Sequence, residues 1–362
     1  MGRFLRILGV LLVLVVIVGG VLVYRILNAA GNFNTVTPHF AGKCQTVTGV
    51  VGAEDMELDR ASGNLYLSAQ DRRPYPLTQA TAKPGAIYLA RIDQPDAAPR
   101  KLTTDASLFH PHGISLYADA AGRKTLAVVN HPGVGGDQIM LFDVNDARTA
   151  SEPNVMLTLR RTVEDPLMHS LNDVTLVGRD AFYVTNDHGS ETALGEQLET
   201  WLLLPRANVV YYDGSAAKIA ATGFNYANGI NRNADASEIY VAEATGRALQ
   251  TFRRDLTTGA LAHVHSLFLG VGPDNIDVDS DGALWIGAHP KLLDFLAHAS
   301  DPKKLSPSAV IKVTPEGDAT AFETIYVNAG EEISASSVAI HEKNRLVIGP
   351  VFDPKFLNCT VQ

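Results

Sequence analysis

Six short segments of this 362-residue chain share one pattern, a polar or glycine lead followed by large apolar residues, at residues 63–67, 124–129, 180–184, 237–241, 282–286 and 344–348. Their first large apolar residues are Leu65, Leu126, Phe182, Ile239, Leu284 and Leu346, so the copies are spaced 45 to 62 residues apart. Each step is about the length of one four-stranded propeller blade. Partner strands fall between the copies at 86–92, 138–144, 209–213, 249–253 and 309–313. Short β-rich runs bounded by Gly, Asp, Asn and Pro continue through residues 45–362, and no amphipathic helical pattern runs for long. The expected fold is all-β, a six-bladed β-propeller, with a β-sandwich or two separate β-domains as alternatives.

The N-terminus is different. Residues 7–24 are eighteen consecutive apolar or glycine residues, and at about 1.5 Å per residue they make roughly 27 Å of helix, close to the thickness of a bilayer core. The run is longer than the apolar stretch of most cleaved signal peptides, and Leu27-Asn28-Ala29 is a poor cleavage site. An uncleaved transmembrane anchor is expected. Arg3 and Arg6 precede the run and Arg25 follows it, which favours a cytoplasmic N-terminus and a domain outside the cytoplasm, whether periplasmic, lumenal or extracellular. The domain plan is therefore an anchor at 1–30, a linker at 31–43 and the propeller at 44–362. With 39 acids against 30 bases the formal charge is −9, so a sequence-independent grip on nucleic-acid phosphate is not expected.

Only two cysteines are present, Cys44 and Cys359, near the two ends of the propeller region. Such a pair can tie the first and last segments into one blade and close the ring. A bridge there would be nominally worth about 4 to 5 kcal/mol through the constraint on the unfolded chain.

Polar residues interrupt the apolar context about once per blade: Glu54-Asp55, His112 in PHGI, Asn172-Asp173, Asn228 in YANGIN, and Asp274-Asn275. If the blades are equivalent, these positions converge on the central channel. Glu, Asp and Asn oxygens without cysteine suit a hard cation such as Ca²⁺, which takes six to eight oxygen ligands. For any single one of these residues, an ordinary turn role is the competing explanation.

His112 and His131 can act as a base and its orienting partner. Asp187, His188 and His289 end other blade strands and line the same mouth. His110 with His112 is a zinc-like pair that lacks a clear third ligand. Residues 70–84 and 186–206 are candidate loops over the mouth. No G-x-S-x-G elbow, H-E-x-x-H, Walker loop or G-x-G-x-x-G is present.

At these insertions the sequence resembles the serum paraoxonase/arylesterase family. The matching segments are GAEDMELD (52–59), HPHGISLY (110–117), VVNHP (128–132), LNDVTLVG (171–178), FYVTNDH (182–188), GFNYANGIN (223–231), PDNIDVD (273–279), LWIGAHP (284–290) and LNC (357–359). The resemblance implies a calcium-dependent six-bladed propeller that hydrolyses lactones, aryl esters and, promiscuously, some organophosphates. It implies two Ca²⁺ ions: a catalytic one held by Glu54, Asn172, Asn228, Asp274 and Asn275, and a structural one held by Asp55, Asp173 and the backbone carbonyl of Ile114. His112 and His131 fall on the family's histidine dyad, Asp187, His188 and His289 on pocket-wall positions, and Cys44 and Cys359 on its disulfide. Ala288 stands where many vertebrate members carry a free cysteine. The competing readings are a gluconolactonase-type sugar-lactone hydrolase, which the paired Glu54-Asp55 and Asn172-Asp173 argue against, and a membrane-tethered binding propeller without catalysis.

Overall fold

A computed structural model describes residues 2–73, 83–103, 108–133, 135–148, 153–316 and 319–361. Six antiparallel sheets form the blades. Their innermost strands, blades 1 to 6 in order, are Ala53–Asp59, Pro111–Ala118, Leu171–Leu176, Ala227–Arg232, Gly272–Val278 and Ser336–Glu342. Consecutive innermost strands touch, and the sixth touches the first, so the sheets close into a six-bladed β-propeller. The repeated sequence segments are the second strands: Asn64–Ala69, Lys124–Asn130, Phe182–Asn186, Glu238–Glu243, Leu284–His289 and Arg345–Pro350.

Those segments repeat because each second strand is buried on both faces. Side chains alternate along a strand, so Leu65 and Leu67 point into the core shared with Val338, Ile340 and Phe356 of blade 6, while Tyr66 points into the core shared with Ile114, Leu126 and Val128 of blade 2. The same arrangement gives a separate apolar core at each of the other interfaces between blades. Burial of one such Leu or Ile side chain contributes about 1.5–3 kcal/mol.

Blade 6 is completed from both ends of the chain. Gly42–Thr48 is its outermost strand and pairs with Lys355–Val361 in a register that sets Cys44 opposite Cys359, and the two form a disulfide. The expected ring closure is observed.

The helix α1 (Gly2–Ala29) leads into this domain. Its Arg3–Ala29 stretch is long and apolar enough to cross a membrane, and its apolar side chains are exposed. The foot of α1 is seated on the propeller. Arg247 donates from Nη1 to the Asn28 carbonyl (2.6 Å), Leu292 N–H donates to the Ala30 carbonyl (2.9 Å), and Asn34 Nδ2 donates to the carbonyls of Gly270 and Pro290. Gly31 has φ 66°, and a Cβ there would lie 2.2 Å from the Pro290 oxygen, so the turn requires glycine. Beyond it His39–Phe40 adds a fifth strand to the edge of blade 5.

Two further helices, α2 (Ala193–Leu202) and α3 (Leu292–Ser300), are short, in keeping with the absence of a long amphipathic pattern in residues 45–362. They occupy the connections between second and third strands of blades 3 and 5. Residues 186–206, expected as a loop, therefore contain a helix of ten residues, capped by Thr192 Oγ1 accepting the Gly195 N–H. At this length the helical period was too brief to stand out from the strand signal. Of the other expected loop, 70–84, residues 74–82 lie outside the described residues.

Candidate active site

Every innermost strand is bulged near its start. Its pairing with the second strand slips between Ala53 and Asp55, Pro111 and Ile114, Leu171 and Val174, Ala227 and Ile230, Pro273 and Ile276, and Ser336 and Val338. The residues inside the slips are Glu54, His112-Gly113, Asn172-Asp173, Asn228-Gly229, Asp274-Asn275 and Ser337. A bulge leaves residues unpaired and re-aims their side chains, which is why the polar insertions break the apolar alternation at one position per blade.

Hydrogen bonds and close backbone packing link the bulges of different blades around the ring. Asp55 accepts the Ile114 N–H at 2.6 Å, joining blades 1 and 2, and Asp173 accepts the Ile230 N–H at 2.7 Å, joining blades 3 and 4. Gly113 packs so closely on blade 3 that a Cβ would lie 2.3 Å from Asp173 Oδ1, and Gly229 meets the Asp274 carbonyl in the same way. Asn275 Nδ2 donates to both the carbonyl and Oε1 of Glu54, and Ser337 Oγ donates to the Glu54 carbonyl at 2.5 Å.

Within this ring Glu54, Asn172, Asn228, Asp274 and Asn275 are all buried. Glu54 Oε2, Asn172 Oδ1, Asn228 Oδ1 and Asn275 Oδ1 have no hydrogen-bond partner. Buried polar atoms are ordinarily satisfied, so four unpaired oxygens from four blades are a donor set whose chemistry fits a hard cation. Among the described residues no three His, Cys, Asp or Glu side chains group as metal ligands; this set is built largely on asparagine amides. Glu54 is held ionised: burial pushes its carboxyl up, but His112, Arg72 and Asn275 bring it down to about 2. Asp274 is raised by burial against the opposing pull of His289, whose Nε2 lies 2.9 Å from Asp274 Oδ2.

Asp55 and Asp173 lie in the same ring and are buried. Besides the bonds between blades, Asp55 accepts the Met56 N–H and Asp173 the Val174 N–H. Burial raises both carboxyls well above the usual range, and the charges of Asp173 and Glu54 push Asp55 further. Both would gain from a nearby cation. Ile114 meets Asp55 through its N–H.

The histidines are brought together as expected. His112 Nδ1 lies 3.1 Å from His131 Nε2, and His112 Nε2 lies 3.5 Å from Glu54 Oε2. His188 bonds Asp187 through Nδ1 (2.7 Å) and Thr200 of α2 through Nε2 (2.9 Å). Together with Leu204, Tyr226 and Thr245 these three line a small pocket. His289 packs against Phe295 of α3 with ring centroids 4.4 Å apart. His110 stands apart from these groups: it is buried against Gln70 Nε2 at 2.7 Å.

Three site residues were not foreseen. Arg72 follows the second strand of blade 1, donates to the carbonyls of Gly52 and Pro111, and lies 3.8 Å from Glu54 Oε2. The residue of blade 1 in register with His131, Asp187 and His289 is Gln70, two residues before Arg72, so the strand-end pattern does not reach it. Ser337 fills the blade 6 bulge, where a serine-rich run carries no charge to mark it. Asp137 bonds His131 Nδ1 at 2.8 Å from the start of the third strand of blade 2, and no local pattern announces it.

The family profile described as Arylesterase matches residues 35–361. Serum paraoxonase/arylesterase 2 of Rattus norvegicus is 32% identical over 318 residues, covering 85% of this chain and 86% of that protein. Serum paraoxonase/arylesterase 1 of Homo sapiens is 32% identical over 333 residues, covering 90% of each. Among solved structures, a luciferin-regenerating enzyme superposes with TM-score 0.53 at 13% identity, covering 89% of this chain and 95% of that one. Regucalcin of Agrobacterium tumefaciens, a calcium-binding protein, gives 0.51 at 16%, covering 91% and 97%. These two likenesses speak for the propeller fold alone. The extent of the sequence match shows that the chain belongs to the arylesterase family, a membership that indicates a hydrolase.

Proposed function

We propose that this protein is a calcium-dependent hydrolase of lactones and aryl esters, with phosphotriesters as secondary substrates. It is held to a membrane by α1 with the propeller outside the cytoplasm. The observation that carries the reading is the set of four orphaned buried oxygens, on Glu54, Asn172, Asn228 and Asn275, at positions matching the family's catalytic calcium ligands. With Asp274 they would hold one Ca²⁺, and Asp55, Asp173 and the Ile114 carbonyl a second, structural one.

A Ca²⁺ held by these residues would supply Lewis-acid polarisation of the substrate carbonyl and stabilisation of the developing oxyanion. His112 accepts a proton from water at Nε2 as the water oxygen bonds to the carbonyl carbon. His131 orients the imidazole through Nδ1. The ring-opened or released alkoxide then takes a proton, which His112 can return. Asp187, His188 and His289 form the wall against which the acyl or aryl group lies.

The test is hydrolysis of an aryl ester and a panel of lactones by the full chain before and after chelation. Activity should vanish with chelator and return with Ca²⁺. Full turnover in excess chelator would exclude the calcium-dependent reading, and no turnover with Ca²⁺ would favour a binding propeller.

A further inference from the structure

A chain of three hydrogen bonds ends at the proposed base. Asp137 Oδ2 accepts the Leu171 N–H at 2.9 Å, and Asp137 Oδ1 lies 2.8 Å from His131 Nδ1. His131 Nε2 then lies 3.1 Å from His112 Nδ1. An ionised carboxylate can only accept. His131 must therefore carry its proton on Nδ1, which leaves His131 Nε2 as an acceptor. His112 must in turn donate from Nδ1, so when its ring is neutral the lone pair is on Nε2. That nitrogen is the one 3.5 Å from Glu54 Oε2, on the site side of the ring.

We infer that Asp137 is a positioning residue that sets the donor direction of the whole relay and so makes Nε2 the nitrogen that neutral His112 leaves unprotonated toward the site. The inference rests on the hydrolase reading for its consequence but not for its geometry. Leu171 immediately precedes Asn172, so Asp137 also fixes the relay to the bulge of blade 3 that carries a proposed calcium ligand. Carboxylates bonded to one ring nitrogen select the histidine tautomer in this way in other proteins.

Asp137→Asn is close to isosteric and makes the inference testable. The Leu171 N–H holds the amide oxygen, so the Asn Nδ2 faces His131 and donates to its Nδ1. Every donor then reverses: His131 donates from Nε2 to His112 Nδ1, and His112 Nε2 becomes protonated. The experiment is ¹⁵N NMR of histidine-labelled full-length protein in detergent micelles, alongside aryl-ester kinetics with Ca²⁺.

The wild type, at a pH where both imidazoles are neutral, should show His131 protonated at Nδ1 and His112 unprotonated at Nε2. Asp137→Asn should exchange both assignments and lower kcat by about 10² or more, with KM changed little, as loss of the correct tautomer does in a catalytic relay. Asp137→Glu should recover the wild-type tautomers and part of the rate. Unchanged tautomers in Asp137→Asn overturn the inference whatever the rate does, and exchanged tautomers with an unchanged kcat overturn its catalytic consequence. A wild type that hydrolyses nothing defeats the hydrolase reading instead, while the NMR assignments still decide the role of Asp137.

Discussion

Asp173, on the innermost strand of blade 3, accepts the backbone N–H of Ile230, on the innermost strand of blade 4, at 2.7 Å. Its other oxygen accepts the Val174 N–H at the same distance. Asn228, two residues before Ile230, has a buried Oδ1 with no partner at all. The two side chains are buried to a similar degree and should answer truncation differently. Asp173→Ala orphans two buried amides, at about 1–3 kcal/mol each, so the thermal midpoint should fall while the remaining folded protein keeps activity. Asn228→Ala removes an unpaired group, so it should cost little stability and most of the Ca²⁺-dependent rate. Equal losses of midpoint and rate in both variants would contradict separate structural and catalytic ion sites.

His112→Gln removes the only group in the dyad whose Nε2 faces Glu54. A glutamine amide cannot take a proton from water. The expected loss in kcat on lactones is about 10² or more, with Ca²⁺ affinity by calorimetry retained, since no histidine is among the proposed ligands. Retained lactone turnover would move the base to Asp274 or Glu54.

The disulfide ties strands that are 315 residues apart in sequence. Cys44 and Cys359 face each other in the outer half of blade 6, and Cys359 is fully buried. Replacing both by alanine should lower the unfolding free energy by about 2–5 kcal/mol. Urea unfolding of the paired variant against the oxidised parent measures it. An unchanged midpoint would mean that hydrogen bonding between Gly42–Thr48 and Lys355–Val361 closes the ring unaided.

The blades were legible because burial on both faces of every second strand imposes a repeating apolar requirement, as at Leu65, Tyr66 and Leu67. The polar set was legible for the opposite reason, since Asn172-Asp173 or Asp274-Asn275 in an apolar strand conflicts with local preference and marks a bulge. Ser337 occupies the equivalent bulge but is small and uncharged, so it produced no conflict. Asp137 and Arg72 act through contacts between segments distant in sequence, such as Arg72 with Pro111, and their local surroundings are ordinary loop. The helices α2 and α3 are ten and nine residues long. Their faces are set by what they pack on, as where Phe295 meets His289, and not by a sustained period.

The pair Asp187–His188 yields a pH dependence. His188 Nδ1 faces Asp187 Oδ1, and its Nε2 faces Thr200 Oγ1, whose own proton goes to the Glu196 carbonyl. Both partners thus accept, and the network is complete only with the imidazolium. Burial would lower His188, but Asp187 overrides it and the pKa is raised from 6.5. Burial would likewise raise Asp187, but His188 and the Ser170 hydroxyl override it and the pKa is lowered from 3.8. A raised histidine stabilises the fold fully below its unfolded pKa and loses that contribution as pH rises through the folded one. A lowered aspartate contributes above its unfolded pKa and loses it as pH falls. The two windows overlap between about pH 4 and 6.5, set by those unfolded values. Asp187→Asn should therefore cost most in that interval, about 1.5–3 kcal/mol as for hydrogen bonds to charged groups, and progressively less above it as wild-type His188 loses its proton. Thermal unfolding of the two proteins at pH 5, 7 and 9 gives the comparison. A penalty that stays constant across the three values would show that the bond to Asp187 does not depend on a protonated His188.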